Sequence, residues 1–235
     1  MINTAEEILI YLEDKKRSPF KDFPIKNSRK LRGALGRLLA WKWVKKIGQG
    51  TNTAFQLTNT GVKELDNTLS VLRTAEKAKE NNLFLIIFQI AENKRDLREK
   101  LRRALVELGA AILHSGVWIA TTDISQQIKK ISKNLKISDK IMVLKIESTK
   151  DLNNKLTHVW DLKVVNDNYS KFIKESQHLI KNPIGNNVAY KAKKLIYLFA
   201  TILKKDPHLA GDLLPQNWKA KQAGISYQKL RKLVI

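Results

Sequence analysis

Through the N-terminal third of the chain, apolar residues recur three or four positions apart, interrupted once by a short alternating stretch. Ile8, Leu9 and Leu12 predict a helix over 4–14, with Thr4 and Glu7 read as its capping box. Ser18-Pro19 opens a short element over 19–23, taken as a second helix and ended by Pro24. Leu31, Leu35, Leu38 and Leu39 predict a third helix, capped by Asn27 or Ser28. Trp43 to Ile47 and Ala54 to Leu57 read as strands joined by a turn over Gly48 to Asn52. Three helices followed by a hairpin is the order of a winged helix-turn-helix domain. Val62, Leu65, Leu69 and Leu72 then stripe a connecting helix over 60–80.

From Asn82 the period changes. Leu83 to Ala91 reads as a buried strand, and Leu97, Leu101, Ala104, Leu105 and Leu108 stripe a helix over 95–108 that Gly109 stops. Ala111 to Leu113 and Val117 to Ala120 are predicted strands around His114-Ser115-Gly116. A helix over 123–134 with Ile124, Ile128 and Ile131 inside, and a strand over 140–146, complete a β-α-β-β-α-β series, the split ferredoxin-like arrangement. Beyond Asp151 the chain reads as helical over 163–179 and 187–205, broken at Asn182 to Gly185, with a last short helix over 226–233. The expected fold class is α+β. The expected domains are a winged helix-turn-helix over 1–60, a linker helix over 61–81, a ferredoxin-like dimerisation domain over 82–149 and a helical C-terminal domain over 150–235. His114, Trp118 and Trp160 are read as core.

Charge adds what periodicity cannot. The 235 residues hold 44 Lys and Arg against 22 Asp and Glu, a net charge of +22, which favours a polyanionic partner. A chain rich in Lys, Ile and Asn throughout could reach that total through coding bias, so local distribution matters more. The 41 residues from Phe23 to Lys63 contain no Asp or Glu, yet carry Lys26, Arg29, Lys30, Arg32, Arg37, Lys42, Lys45, Lys46 and Lys63. On the third helix, Lys26, Arg29, Gly33, Gly36 and Arg37 fall opposite the leucine stripe, with Lys30 beside them. A glycine inside a helix costs about 1 kcal/mol against alanine. Two on one face imply a close approach to the backbone, either by a DNA groove or by another helix of the same domain. Arg29, Lys30 and Arg37 are the candidates for base or phosphate contacts, since arginine reads guanine bidentately. Lys26, Ser28 and Arg32 are assigned to phosphates, and Lys45, Lys46, Thr51 and Asn52 to the wing.

Other chemistries find little support. There is no cysteine, which excludes disulfides and thiolate sites, and the four histidines lack metal-ligand spacing. No phosphate loop, nucleophile elbow or zinc-protease motif occurs. No metal and no cofactor are expected. The longest apolar run, Leu83 to Phe88, is far short of the about 20 residues of a membrane span. With no signal peptide evident at the N-terminus, a cytoplasmic location without membrane contact is expected.

Several segments together resemble the PaaX family of repressors. Phe55-Gln56-Leu57-Thr58-Asn59-Thr60-Gly61 is similar to the end of that family's winged helix. Ile87 to Glu92, then Arg95, Arg98 and Leu101, Leu108-Gly109 and Ser115-Gly116-Val117-Trp118-Ile119 are similar to its central domain. Trp160-Asp161-Leu162 with Tyr169 and Phe172 resembles the start of its C-terminal domain, and Asp206-Pro207-His208-Leu209 through Leu213-Leu214-Pro215-Gln216-Asn217-Trp218 resembles the signature near its end. Ala210 stands where proline is usual, and Lys219-Ala220 replaces the usual proline-glycine. The resemblance implies a homodimeric repressor of double-stranded DNA, not an enzyme, tuned by a small-molecule effector that these motifs do not identify. The central domain also resembles the CRISPR-associated Cas-two family, which dimerises through the same fold and includes metal-dependent nucleases. That resemblance leaves open a DNA-binding scaffold or a nuclease. Gln89 stands where the metal-binding aspartate of that family is expected, and a neutral amide is a poor ligand for a hard cation. Glu92 and Asp96 lie nearby.

Overall fold

Asn3, rather than Thr4, caps the first helix. Its side chain accepts from the amides of Ala5 and Glu6, and Glu6 Oε2 accepts from the Asn3 amide at 2.7 Å. The capping box therefore lies one residue ahead of the expected Thr4–Glu7 pair. Both pairs have the right spacing, and asparagine is the stronger cap. The structure is a computed structural model and describes residues 2–74, 82–147, 149–185, 187–209 and 214–234. The chain forms two units: Met1–Glu76 with Asn168–Leu203 and Lys219–Ile235, and Lys77–Asp167 with Lys204–Trp218.

The first unit begins with α1 (Thr4–Lys15), β1 (Arg17–Pro19), α2 (Ser28–Ala40), β2 (Val44–Ile47), β3 (Ala54–Leu57), α3 (Asn59–Leu69) and α4 (Val71–Thr74). The helix expected over 19–23 is instead the end of β1 and one 3-10 turn, Phe20–Asp22. Pro19 is extended, at φ −68° and ψ 162°, and suits the end of an edge strand. Pro24 then holds Phe23 extended, at ψ 137°, so the turn cannot propagate. The three strands form an antiparallel sheet ordered β1-β3-β2. The connector expected as one helix over 60–80 divides between α3 and α4 at Ser70, whose hydroxyl donates back to the Asn67 carbonyl. Its residues 75–80 lie outside the described residues.

Leucines on α2 and isoleucine and leucine on α1 supply the core of this unit. Leu31, Ala34, Leu35 and Leu38 pack with Ile8, Leu9 and Leu12, with Phe23, Val44 and Phe55, and with Leu65 of α3. Each buried leucine contributes about 1.5–3 kcal/mol relative to exposure. Two later helices, α9 (Val188–Leu203) and α10 (Ala220–Arg231), belong to the same unit; α9 packs on α1, α3 and α10. The final helix, expected over 226–233, thus begins at Ala220. Tyr190 and Tyr197 of α9 enter the core. Lys193 pairs with Glu13 at 2.8 Å and Asp14 at 3.2 Å, and Lys194 pairs with Glu7. Glu7 also accepts from the Tyr190 hydroxyl at 3.2 Å.

The second unit contains β4 (Leu83–Phe88), α5 (Arg95–Glu107), β5 (Ala111–His114), β6 (Val117–Ala120), α6 (Ser125–Leu135), β7 (Ile141–Ile146) and α7 (Lys150–Val159). Between this series and α9 runs α8 (Leu162–Lys181). The sheet is antiparallel and ordered β5-β6-β4-β7, which is the ferredoxin-like arrangement. Phe84, Ile86 and Phe88 alternate onto the face that α5 and α6 cover, against Leu101, Leu105 and Ile128. The strand stops at Phe88, short of the expected Ala91. On the opposite face, Leu83 and Ile119 pack against Leu156, Leu162 and Leu209, with Leu214 and Trp218 alongside. Farther along that face, Met142 and Leu144 remain 51% and 41% exposed. Of the three residues read as core, Trp118 is buried and Trp160 half-buried, but His114, next to the β5–β6 turn, is exposed.

The Asp206–Leu209 corner of the C-terminal segment is held by its own hydrogen bonds. Asp206 is buried, and its Oδ1 accepts from the His208 amide at 2.6 Å, closing an Asx-turn in which His208 sits at φ +52°. Thr121 Oγ1 donates to the Pro207 carbonyl at 2.6 Å, fastening the corner to the end of β6. Ala210 to Leu213 of the same motif lie outside the described residues.

Candidate nucleic-acid interface

The start of α2 is set by Asn27, whose side chain accepts from the Lys30 amide at 2.9 Å. That cap leaves the Ser28 hydroxyl free of the capping role. With Leu31, Ala34, Leu35 and Leu38 facing inward, Lys26, Ser28, Arg29, Lys30, Arg32 and Arg37 are all exposed. So are Lys45 and Lys46 of β2 and Asn52 in the turn; the Thr51 side chain lies outside the described residues. None of the nine cations between Phe23 and Lys63 has a carboxylate within ion-pair distance among the described residues. Glu7, Glu13 and Asp14 of α1, by contrast, are held by Lys15, Lys16, Lys193 and Lys194.

The two glycines of α2 are open to solvent. A Cβ on Gly36 would meet nothing within 4 Å, and one on Gly33 would meet only Arg37 Nη1, at 4.0 Å. A helix crossing inside the unit is therefore not why they are glycine. The close crossing falls elsewhere, at Gly61 of α3, where a Cβ would lie 2.1 Å from the Trp43 carbonyl oxygen.

The predicted residues divide between two flanks of α2. On one flank, Arg32 and Lys46 share a cleft of about 400 Å³ with Phe20, Leu35, Gly36, Leu39 and Phe55. The Arg32 guanidinium lies 5.6 Å from the centre of the Phe20 ring, a cation–π contact that restricts it. On the other flank, Arg37 lines a cleft of about 580 Å³ whose other residues include Glu6, Glu64, Trp41, Trp43 and Tyr197. Burial, with the Glu6 and Glu64 carboxylates adding to it, pushes the Tyr197 phenol above its ordinary pKa. Half-exposed Trp41 sits beside Trp43 with ring centres 4.9 Å apart. Arg37 is thus apart from Arg32 and Lys46, and Arg29 holds the middle of the exposed face.

The sheet adds one exposed cation that sequence reasoning missed. Arg17 of β1 stands opposite Gln56, which in turn stands opposite Lys45, so Arg17 and Lys45 share the outer face of the sheet. Arg17 is exposed. A three-residue strand containing proline gives no alternation to find, and only the preceding helix end and the Ser18-Pro19 pair hinted at a turn there. The β2–β3 connection is tight: Gly48 is at φ +79°, and a Cβ on it would lie 2.5 Å from the Asn52 carbonyl oxygen. Thr53 Oγ1 donates to the Gly50 carbonyl at 2.8 Å.

In the second unit, Gln89 is exposed just past β4, and its backbone N–H donates to the Lys140 carbonyl at 3.0 Å. Glu92 and Asp96 are also exposed. Among the described residues no three His, Asp or Glu side chains converge into a cluster able to hold a metal ion. No described helix is long and apolar enough to cross a membrane.

Comparison with known proteins gives two family matches, the second of which spans parts of both units. Residues 76–157 match the family model of the PaaX protein central Cas2-like domain, and residues 160–234 match that of the PaaX-like protein C-terminal domain. No curated protein sequence matches the chain. Among solved structures, an uncharacterized protein from Mycobacterium tuberculosis is similar, with 17% sequence identity and a TM-score of 0.56 over 90% of this chain and 83% of that one. At that identity the likeness concerns the fold alone. Two successive domains of one family, together spanning most of the chain from residue 76 onward, place it: the chain belongs to the PaaX family, a family of transcriptional regulators.

Proposed function

We propose that the chain is a dimeric, sequence-specific DNA-binding repressor whose N-terminal segment acts as a winged helix. The observation that carries this reading is the exposed face of α2: cations without acidic partners around two open glycines, beside a hairpin that adds Lys45, Lys46 and Asn52. Arg29, with Lys30, enters the major groove and reads base edges, and Arg37 contributes from its flank. Lys26, Ser28 and Arg32 hold phosphates, with Arg32 steadied over Phe20. Lys45, Lys46, Thr51 and Asn52 follow the backbone as the wing.

The dimer forms through the ferredoxin-like sheet. Its face opposite α5 and α6 leaves Met142 and Leu144 half-exposed, with partly buried Ile87 and Leu85 opposite them on β4 and Val117 beside Ile87 on β6. An apolar strip on an otherwise strongly cationic protein fits a second copy of the same face, related by a two-fold axis. Two α2 helices so paired read two half-sites. An effector that tunes this binding belongs to the same reading.

Selection of sites from a random duplex library at physiological salt tests it, with an Arg29→Ala, Arg37→Ala double variant beside the wild type. A pseudo-palindrome enriched by the wild type alone is the expected result, and Arg29→Ala by itself should cost about 1–3 kcal/mol of operator affinity. Binding that selects no motif and collapses with salt would instead favour a sequence-independent scaffold.

A further inference from the structure

The two helices covering the ferredoxin-like sheet differ in how their charge is balanced. In α5 the cations Arg95, Arg98, Lys100, Arg102 and Arg103 are interleaved with Asp96, Glu99 and Glu107, and Arg102 pairs with Glu99 at 3.1 Å. In α6 there is no such balance. From Ile124 to Ser138 the chain has no acid, and Lys129, Lys130, Lys133 and Lys136 are all exposed. None of the four has a carboxylate partner within ion-pair distance among the described residues. α9 and α10 also lack acids, so what sets α6 apart is the contrast with α5, which covers the same sheet.

The placement of these lysines is ordered by packing. Ile124, Ile128 and Ser132 are buried, with Ile131 and Leu135 packed beside them. The opposite face therefore presents Gln126, Lys129, Lys130 and Lys133 at i, i+3, i+4 and i+7. At 1.5 Å of rise per residue, Lys129 and Lys133 stand about 6 Å apart along the axis. Lys136, the C-cap residue in the left-handed conformation at φ +54°, extends the row past the helix end. The remaining exposed side chains of the helix, Gln126, Gln127 and Asn134, are neutral hydrogen-bonding amides. A row of point charges with amides between them suits the phosphates of a nucleic-acid backbone and offers no fork for reading a base edge.

We infer that the exposed face of α6 is a second DNA surface, one that holds phosphates of duplex DNA outside the sequence read by α2. The inference rests on the DNA-binding reading and extends it to the ferredoxin-like unit. Its consequence is thermodynamic: each lysine that displaces a counterion adds to the salt dependence of binding and nothing to sequence preference.

The test uses the full chain and a duplex carrying the site selected by the wild type, with flanking sequence on both sides. Affinity is measured across a series of salt concentrations for the wild type, for Lys129→Glu/Lys130→Glu/Lys133→Glu, and for the same three changed to Gln. A control triple on α8, Lys163→Glu/Lys171→Glu/Lys174→Glu, alters net charge equally at exposed positions. Each phosphate no longer neutralised removes about 0.9 from the log–log salt slope, so three lysines in each subunit of a dimer predict a slope shallower by about 5.4, with the selected motif unchanged. The Gln variant should show the same slope change, and the α8 control should show none. An unchanged slope in the α6 variants, with the motif retained, overturns this inference and leaves the reading of α2 intact. An equal change in the α8 control also overturns it, since bulk charge would then suffice. A wild type that binds no duplex at any salt concentration overturns both. Circular dichroism of each variant checks that total helix content is retained.

Discussion

Gly36 separates a structural role from a functional one, because the two make opposite predictions for one substitution. A Cβ there enters open space. Replacing the glycine by alanine in the middle of an exposed helix face should stabilise the fold by about 1 kcal/mol through backbone entropy alone. For a chain of this length that corresponds to a rise in Tm of roughly 2–4 °C. If the open backbone exists so that a DNA groove can come close, the same methyl group stands between helix and groove. Operator affinity should then fall at least about tenfold, which corresponds to about 1.4 kcal/mol. Thermal unfolding and fluorescence anisotropy with a labelled operator duplex measure the two effects on one sample. A variant that is more stable and binds as tightly as the wild type would refute the argument that this face approaches DNA. A variant that is less stable would show that the face is not open.

Gly61→Ala should behave in the reverse sense, since its methyl group would meet the Trp43 carbonyl at 2.1 Å; chemical denaturation should show a loss of more than about 2 kcal/mol. Leu144→Lys with Met142→Lys should convert a dimer to a monomer in sedimentation and weaken binding to a two-half-site operator far more than to one half-site; a variant that remains dimeric would move the interface off this face. Burial raises the pKa of Asp14, but hydrogen bonds from Lys15 and Lys193 outweigh it and hold the carboxyl below its ordinary value. A depressed carboxylate stabilises the fold fully above about pH 4, and that stability is lost as pH falls through the folded pKa. Asp14→Asn should therefore flatten the acid limb of the stability–pH curve and leave the region above about pH 5 parallel to the wild type, at a constant offset.

The elements that the sequence makes legible are those whose pattern is local. Leu31, Leu35 and Leu38 mark α2 because only a helix puts them on one side, and the change of period at Leu83 marks β4 for the same reason. The strand order β5-β6-β4-β7 follows from the series of elements once the ferredoxin-like arrangement is assumed, not from any residue. Three features resist such reading. The capping box could start at Asn3 or Thr4, since an acid stands three residues after each. β1 is too short to alternate. The packing of α9 on α1 joins Lys194 and Tyr190 to Glu7 across more than half the chain, and each of those residues looks solvent-facing on its own helix. For the candidate interface, the exposure of Arg29 and Lys30 follows from the leucine stripe. The separation of Arg37 from Arg32 follows from their spacing, about 140° around a helix, but the neighbours that line each flank do not, because they depend on where α1, α3 and the hairpin sit around α2.

Segregation of charge, more than its total, is shared by the surfaces to which a role is proposed, although α10 also carries exposed Lys221, Lys229 and Arg231 without an acid. Lys193 and Lys194 are taken up by the acids of α1, and Arg102 by Glu99 of its own helix. Those cations are neutralised within the fold and add little to an external field beyond a Debye length of about 8 Å at physiological ionic strength. The cations of α2, of the hairpin and of α6 have no such partners among the described residues, so the field they set up is available to a polyanion. Their neighbourhoods then divide the labour. Around Arg29 the helix is thinned by Gly33 and Gly36, which allows base edges to be reached. Around Lys129, Lys130 and Lys133 no glycine lies on the helix, and lysine, a point charge on a flexible stem, replaces arginine. The first surface has the chemistry to select a sequence and the second only to hold a backbone. Exchanging the side chains therefore should not be neutral: Arg29→Lys should lose selectivity while keeping most of its non-specific affinity, whereas Lys130→Arg should leave both nearly unchanged.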